Sequence, residues 1–176
     1  TVPNFNDDDI AAIKGDNSNG ELVGDQLTTI TTDFLGYGYI GINADNVKIG
    51  EDKGSAESKA LRRALATLLA VYREPVVYAY YGDRASVINY PISDTSWAAP
   101  RVTDEGYKVA FSVDVEGNDI YTEGMTAEEK YAAAEKAALG FFEAAGYTVA
   151  DGKVTAAPEG AKMAYEVMVG GGGIGD

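Results

Sequence analysis

Two stretches of the chain carry apolar residues at helical spacing and begin at residues that suit a helix N-terminus. Ser55 precedes the first stretch as an N-cap, and Thr126 with Glu129 gives the second the spacing of a capping box. The apolar positions are Leu61, Ala64, Leu65, Leu68, Leu69 and Tyr72 in the first stretch, and Tyr131, Ala134, Ala138, Phe141, Phe142 and Ala145 in the second. Both are therefore predicted to be helices with one buried face. The residues predicted to point outward from the first are Lys59, Arg62 and Arg63.

Alternation of apolar and polar residues predicts β-strands in other parts of the chain. Such strands are predicted over 27–32, 37–43 and 163–169. The segments 109–121 and 147–156 each alternate on both sides of a turn sequence, Gly-Asn in the first and Asp-Gly in the second, and are predicted to be hairpins. Helices and strands together predict an α+β fold.

Three further segments lack a clear periodic pattern. Residues 1–26 are polar and acidic and are predicted to be an irregular lead-in, with at most one helical turn near Ile10. Residues 82–100 include the only tryptophan and are predicted to be a long loop. Propensity favours a strand over 76–81, although Pro75 suits the first turn of a helix.

The composition excludes several classes of function. The chain has 28 acidic and 14 basic residues, and a formal net charge of −14 repels phosphate groups, so nucleic acid is not expected as a partner. It has no cysteine and no histidine, which removes thiolate nucleophiles, the usual zinc sites and histidine relays. Most catalytic templates therefore fail, and the chain is not expected to be an enzyme or to hold a catalytic residue, metal or cofactor.

Two short motifs suggest other binding chemistries. Glycines within 36–41 have the spacing of a dinucleotide-binding fingerprint, but an Asn-rich segment, 43–46, follows where that motif needs a helix. Close approach of another backbone or of a ligand is the preferred interpretation. A second glycine match, 170–175, ends before any helix. Residues 16–20 resemble a calcium loop with the glycine one position early and Leu27 in place of the glutamate, so a solvated acidic loop is predicted.

Several segments in a fixed order resemble one protein family. These segments are 39–43, 58–65, 72–77, 81–82, Pro91, 97–98 and 142–147. Taken in order, they resemble the oligopeptide- and dipeptide-binding family of extracytoplasmic solute-binding proteins, which serve ABC importers. Tyr72 departs from the family, which usually has an aspartate before the arginine, and the hairpin 109–121 looks like an insertion.

The resemblance implies a periplasmic-binding-protein-like lobe with a mixed sheet and packed helices, in a parent protein of two lobes. Residues 1–34 would be an acidic lead-in and hinge-approach strand, and residues 35–176 would be the first half of the second lobe. A helix over 76–81 is implied as well. The parent would be an extracytoplasmic, membrane-anchored lipoprotein whose partners are a peptide ligand and an ABC permease. The chain itself is expected to be a monomeric fragment.

Four residues are predicted to lie nearest the peptide cleft. They are Tyr37, Tyr39, Asn43 and Trp97, chosen by position and because aromatic rings with a polar handle suit broad contact with a peptide or a sugar. The acid that receives the peptide amino terminus in the family is expected to lie beyond Asp176. The acidic surface, the tyrosines and the lack of cysteine keep a secreted carbohydrate-active or adhesion module open as an alternative.

Overall fold

The computed structural model describes residues 7–30 and 32–169, and the chain divides into two compact units, Thr1–Leu35 and Gly36–Asp176. The elements are α1 (Asp7–Asp16), α2 (Ala56–Val71), α3 (Arg73–Tyr81), a 3-10 turn (Gly82–Arg84), α4 (Ala127–Ala144), β1 (Thr148–Ala150) and β2 (Lys153–Ala156). Helices and a small sheet confirm the α+β prediction at that level. The second glycine match lies outside the described residues.

In the first unit, α1 is longer than the single turn predicted and has ten residues. Asp8 and Asp9 lie near its N-terminus and Lys14 lies in its last turn, which complements the helix dipole at both ends. The expectation of an irregular lead-in was therefore wrong for this segment. Apolar residues are sparse in this segment, and the charges at its two ends are what suit a helix.

The loop after α1 is built around Asn17, which is only 3% exposed. Its Nδ2 donates to the backbone oxygens of Glu21 at 2.6 Å and Leu27 at 2.9 Å. Its Oδ1 accepts from the backbone N–H groups of Gln26 at 3.2 Å and Leu27 at 2.8 Å. A Cβ on Gly24 would overlap the Asn17 side chain, so this close approach requires glycine. One amide thus satisfies most of the loop's inward-facing backbone groups.

Both predicted N-termini of the long helices are confirmed. Ser58 N donates to Ser55 Oγ at 3.0 Å. Thr126 N donates to a Glu129 carboxylate oxygen at 2.8 Å, and Glu129 N donates back to Thr126 Oγ1 at 3.2 Å. These bonds satisfy backbone donors that the first turn of a helix leaves unpaired. α2 and α4 therefore begin where the capping residues predict.

The second unit is organised by the packing of α2 against α4. The almost fully buried residues at this contact are Leu61, Ala64, Ala134 and Ala138. Alanine side chains allow two helices to approach closely, which leaves no room for water around Leu61. Leu61 also belongs to a core cluster with Val47, Ala145 and Tyr147. The core therefore links α2 to the segment before it and to the end of α4.

Tyr147 fastens the carboxyl-terminal part of the described chain to this core. Its Oη donates to the Lys162 backbone oxygen at 2.7 Å and lies 3.1 Å from the Tyr165 Oη. Burial is the main reason that the pKa of the Tyr147 phenol lies above its ordinary value. The phenol therefore stays protonated at neutral pH and can donate its hydrogen bond.

Residues 76–81 are helical, as the family resemblance implies and against their strand propensity. Pro75 is the third residue of α3, a position at which its missing N–H costs no helical hydrogen bond. The proline near the helix start therefore outweighs the strand propensity of the valines and tyrosines that follow it. α3 directly continues the chain after α2, with Tyr72 between the two helices.

The strands predicted over 27–32, 37–43 and 163–169 were wrong. Within the described residues, these segments belong to no ladder, and the first makes only an isolated bridge between Val23 and Thr28. An extended segment becomes a strand only when a neighbouring strand takes up its backbone hydrogen bonds. Several apolar side chains on the two later segments are consequently exposed, namely Tyr39, Ile40, Met163, Val167 and Met168.

Of the two predicted hairpins, only the second forms a sheet. Strands β1 and β2 pair antiparallel around Asp151 and Gly152, both of which have positive φ angles. The first contains a single bridge between Val113 and Asp119, and Phe111, just before it, adopts a left-handed φ of 59° instead of an extended conformation. The described residues therefore contain a two-stranded antiparallel sheet and not the mixed sheet that was expected.

The prediction that the basic residues of α2 point outward holds only for Lys59, which is exposed. Arg62 folds over the helix and donates to the backbone oxygens of Val47 at 2.9 Å and Lys53 at 2.7 Å. Arg63 lies against aromatic rings. Long arginine stems can cover apolar surface, so position on a helical wheel does not decide where the charged group ends.

Replacing Leu61 with alanine is expected to lower the free energy of unfolding by about 2–5 kcal/mol, because it leaves a cavity that the packed helices cannot fill. Leu69→Ala on the same helix is the matched control. Leu69 was predicted to face inward but is 44% exposed, so its loss should cost about 1 kcal/mol or less. Urea unfolding followed by circular dichroism measures both values, and equal losses would contradict the assignment of the core.

Replacing Asn17 with alanine should open the loop of the first unit, because the Leu27 N–H loses its acceptor. Amide hydrogen exchange at Leu27 is expected to accelerate by about tenfold or more. Asn19→Ala serves as the control, since Asn19 is exposed and bonds only within residues 19–23. Unchanged exchange at Leu27 in Asn17→Ala would show that Asn17 does not hold the loop.

Candidate functional site

Tyr37 and Tyr39 form an exposed aromatic pair on an extended segment. Their ring centroids are 6.4 Å apart with tilted planes. Tyr37 is 47% exposed and Tyr39 is 83% exposed, so both rings are available to a ligand. No helix opens directly after the neighbouring glycines, since the next helix, α2, begins at Ala56. The context that dinucleotide binding needs is therefore missing at this motif.

Asn43 forms a turn directly after this segment. Its Oδ1 accepts from Asp45 N at 2.9 Å, and its backbone oxygen accepts from Asn46 N and Val47 N. The next residues bring Lys53 Nζ within 2.7 Å of the Asp45 carboxylate, and this contact lowers the pKa of Asp45. The Asn43 side-chain oxygen is thus used to shape the turn, which leads the aromatic segment into the core at Val47.

Trp97 is the most exposed aromatic residue predicted for the site, with 94% of its surface accessible. It lies on a compact turn in which Ser96 N donates to Ser93 O at 3.0 Å and Ala99 N donates to Ser96 O at 3.1 Å. Ser93 and Ala99, at the two ends of this turn, are buried. The exposed indole therefore lies on a segment whose two end residues are buried.

Arg101 clamps the turn that carries Trp97. Its Nη1 donates to Asp94 O at 2.7 Å and its Nη2 donates to Ser96 O at 2.9 Å. The Asp104 carboxylate in turn accepts from Arg101 N at 2.7 Å. A rigid, planar guanidinium that spans two carbonyl groups fixes their spacing. This clamp was missed by the sequence reasoning, which saw the segment only as an irregular loop.

Arg73 attaches the long loop to the corner between α2 and α3. Its guanidinium donates to Ala70 O at 3.2 Å, to Ile88 O at 2.9 Å and to Asn89 Oδ1 at 3.2 Å. Asn89 Nδ2 donates to Tyr107 Oη at 2.9 Å. Desolvation is the main cause that lowers the pKa of Arg73, although the group stays charged. Nothing in residue spacing indicated Asn89 as the partner of this arginine.

The structure brings some of the four predicted residues together and not others. Tyr37 and Tyr39 contact each other, and Asn43 lies four residues farther along the same segment. Trp97 makes no ring contact with this pair among the described residues. The candidate site therefore has two parts, which we name the tyrosine segment (37–43) and the tryptophan turn (93–99).

The described residues contain no cluster of three or more acidic side chains placed to hold a metal ion. Within the same part of the chain, no helix has both the length and the apolar character needed to cross a membrane. Comparison with family models, with curated proteins and with solved structures finds no match for this chain.

Replacing Arg101 with alanine should release the tryptophan turn without unfolding the core, because the clamp joins exposed groups. The fluorescence anisotropy of Trp97 is expected to fall as the indole gains motion. Val102→Ala provides a neighbouring control, since Val102 is exposed and its side chain lies outside the clamp. Equal anisotropy in Arg101→Ala and the wild type would mean that the clamp does not order the turn.

Proposed function

We propose that this chain is part of an extracytoplasmic binding protein that captures oligopeptides and delivers them to an ABC permease. In this proposal the tryptophan turn and the tyrosine segment contact the peptide. The single observation that carries it is the nearly complete exposure of Trp97 on a turn held by Arg101. Recognition of varied peptides needs broad aromatic contact and little dependence on one sequence, and exposed Tyr and Trp side chains supply such contact.

The exposure of Trp97 leaves apolar surface whose burial would contribute free energy to ligand binding. An indole offers a large apolar area, and burying it against a ligand releases about 25 cal/mol for each square ångström removed from water. The clamp by Arg101 fixes the turn before any ligand arrives, so less conformational entropy is lost on binding. An ordered but exposed tryptophan is therefore better explained by contact with a ligand than by packing within the unit.

The order of elements also supports the resemblance to solute-binding proteins. α2 ends at Val71, α3 begins at Arg73 with proline in its first turn, and a loop with two prolines follows. α4 then ends just before Gly146 and Tyr147, as the family pattern implies. The helix over Val76 to Tyr81 is the most informative of these, because propensity alone predicted a strand there.

The exposed extended segments fit a chain that forms one part of a larger sheet-containing protein. Apolar side chains at Tyr39, Ile40, Val167 and Met168 are exposed on segments with alternating sequence and no ladder partner among the described residues. Strands of this kind are stable when further strands pair with them. We therefore propose that a larger parent protein completes the sheet and the peptide cleft.

Because Trp97 is the only tryptophan, its fluorescence reports a ligand at the tryptophan turn without a label. Titrating mixed tetrapeptides into the chain is expected to shift the emission of Trp97 to shorter wavelength, with affinity in the millimolar range. Weak binding is expected since a two-lobed cleft would supply only part of its contacts from this chain. A mixture of oligosaccharides, added under the same conditions, should leave the emission unchanged.

Two variants make this titration specific. Tyr39→Ala should weaken the peptide response several-fold, because it removes an exposed ring of the tyrosine segment. Tyr80→Ala, an exposed tyrosine on α3, should respond like the wild type. A response to oligosaccharides and not to peptides would contradict the proposal and favour the carbohydrate-active alternative. Nanomolar binding of peptides by this chain alone would contradict a cleft completed by a parent protein.

A further inference from the structure

A groove lies between α2, α4 and the turn at 113–117, and it shares no residue with the tryptophan turn or the tyrosine segment. Its volume is about 620 Å³, within the range of small-molecule sites. Its lining includes the charged residues Lys59, Arg63, Asp114 and Glu116 together with apolar surface from Val113 and Phe141. The groove thus combines an apolar wall with charges of both signs.

Arg63 is held in this groove by two aromatic rings. Its guanidinium carbon lies 5.1 Å from the ring centroid of Phe111 and 5.8 Å from that of Phe141. Cation–π contacts position a guanidinium without using its N–H donors. Phe111 has a φ of 59°, which is unfavourable for a bulky side chain. The backbone is therefore strained at Phe111, the residue whose ring lies against Arg63.

The donors of Arg63 have no protein acceptor within residues 7–30 and 32–169, and the Nε atom is buried without a hydrogen bond. A buried N–H without a partner costs about 1–3 kcal/mol. Native proteins rarely leave such a donor unsatisfied unless a water, an ion or a ligand completes it. The neighbouring Arg62, by contrast, uses its donors on two backbone oxygens.

The acidic groups of the groove do not pair with Arg63. The Asp114 carboxylate accepts from Glu116 N at 3.0 Å, from Asn118 N at 2.8 Å and from Asn118 Nδ2 at 3.2 Å. The bond from Asn118 N is the main reason that the pKa of Asp114 is low, so this group stays ionised. Asp114 and Glu116 then balance the charges of Lys59 and Arg63. This balance disfavours a dianion such as phosphate more strongly than a single carboxylate.

We propose that the groove binds the carboxylate of a small ligand with an apolar body, and that Arg63 is its anchor. A carboxylate can accept two parallel hydrogen bonds from the two terminal nitrogens of a guanidinium, and those of Arg63 have no protein acceptor among the described residues. Lys59 adds a second positive charge, and Val113 and Phe141 contact the apolar body. A free aliphatic acid and the carboxyl end of a peptide share this chemistry.

Titration of N-acetyl-L-leucine into the full chain, followed at the Nε–H resonance of Arg63 by NMR, tests the proposal in the wild type. We expect a saturable shift in the millimolar range, because the groove is open and one ion pair supplies much of the affinity. N-acetyl-L-leucinamide lacks the carboxylate and should cause no such shift. The absence of any shift, or an equal shift with the amide, would overturn the proposal.

A second titration with 4-methylpentanoate distinguishes the two sources of the carboxylate. An affinity equal to that of N-acetyl-L-leucine would support a free aliphatic acid as the ligand. Weaker binding of 4-methylpentanoate would support the carboxyl end of a peptide, because only N-acetyl-L-leucine has the adjacent amide. Both outcomes retain Arg63 as the anchor.

Two variants test whether Arg63 is the residue that binds the carboxylate. Arg63→Met keeps the contact with the rings but removes the charge, and it should weaken binding by about tenfold or more. Lys136→Gln on the exposed face of α4 changes the net charge equally and should bind like the wild type. A folded Arg63→Met that binds like the wild type would overturn the proposal, and should this variant fail to fold, the wild-type NMR titration decides.

Discussion

The packing of α2 against α4 is the interaction on which the rest of the second unit depends. Alanines at the contact allow the helices to come close enough to enclose Leu61, and Leu61 in turn joins Val47 to the end of α4. α3 continues from one of these helices and the β1–β2 hairpin continues from the other. Polar networks then fix the long loop on this frame, through Arg73 at its start and Arg101 at the tryptophan turn.

The elements that the sequence predicted well are those with local signals. Capping residues at Ser55 and Thr126 define the starts of two helices, and Asp151 with Gly152 defines a hairpin, because each signal acts within a few residues. The predicted strands 37–43 and 163–169 failed for a different reason. Alternation describes a side-chain pattern, whereas a strand also needs a partner, and the described residues supply none.

Sequence reasoning named the exposed aromatic residues of the candidate site but not the groups that position them. Tyr39 and Trp97 are exposed, and their contact with a ligand stays a prediction. The groups that position such residues join distant parts of the chain, as when Arg73 reaches Asn89 across sixteen residues. The groove at Arg63 was missed because helical spacing placed that arginine outward, whereas Phe111 and Phe141 draw it against the helix pair.

The tryptophan turn and the tyrosine segment are proposed to contact peptide ligands. Hydrogen–deuterium exchange of the chain with and without saturating mixed peptides tests this proposal most directly, because it reports every backbone segment at once. Peptide binding is expected to slow exchange in 93–99 and 37–43. Unchanged exchange in both segments, or protection confined to other parts of the chain, would contradict the proposal.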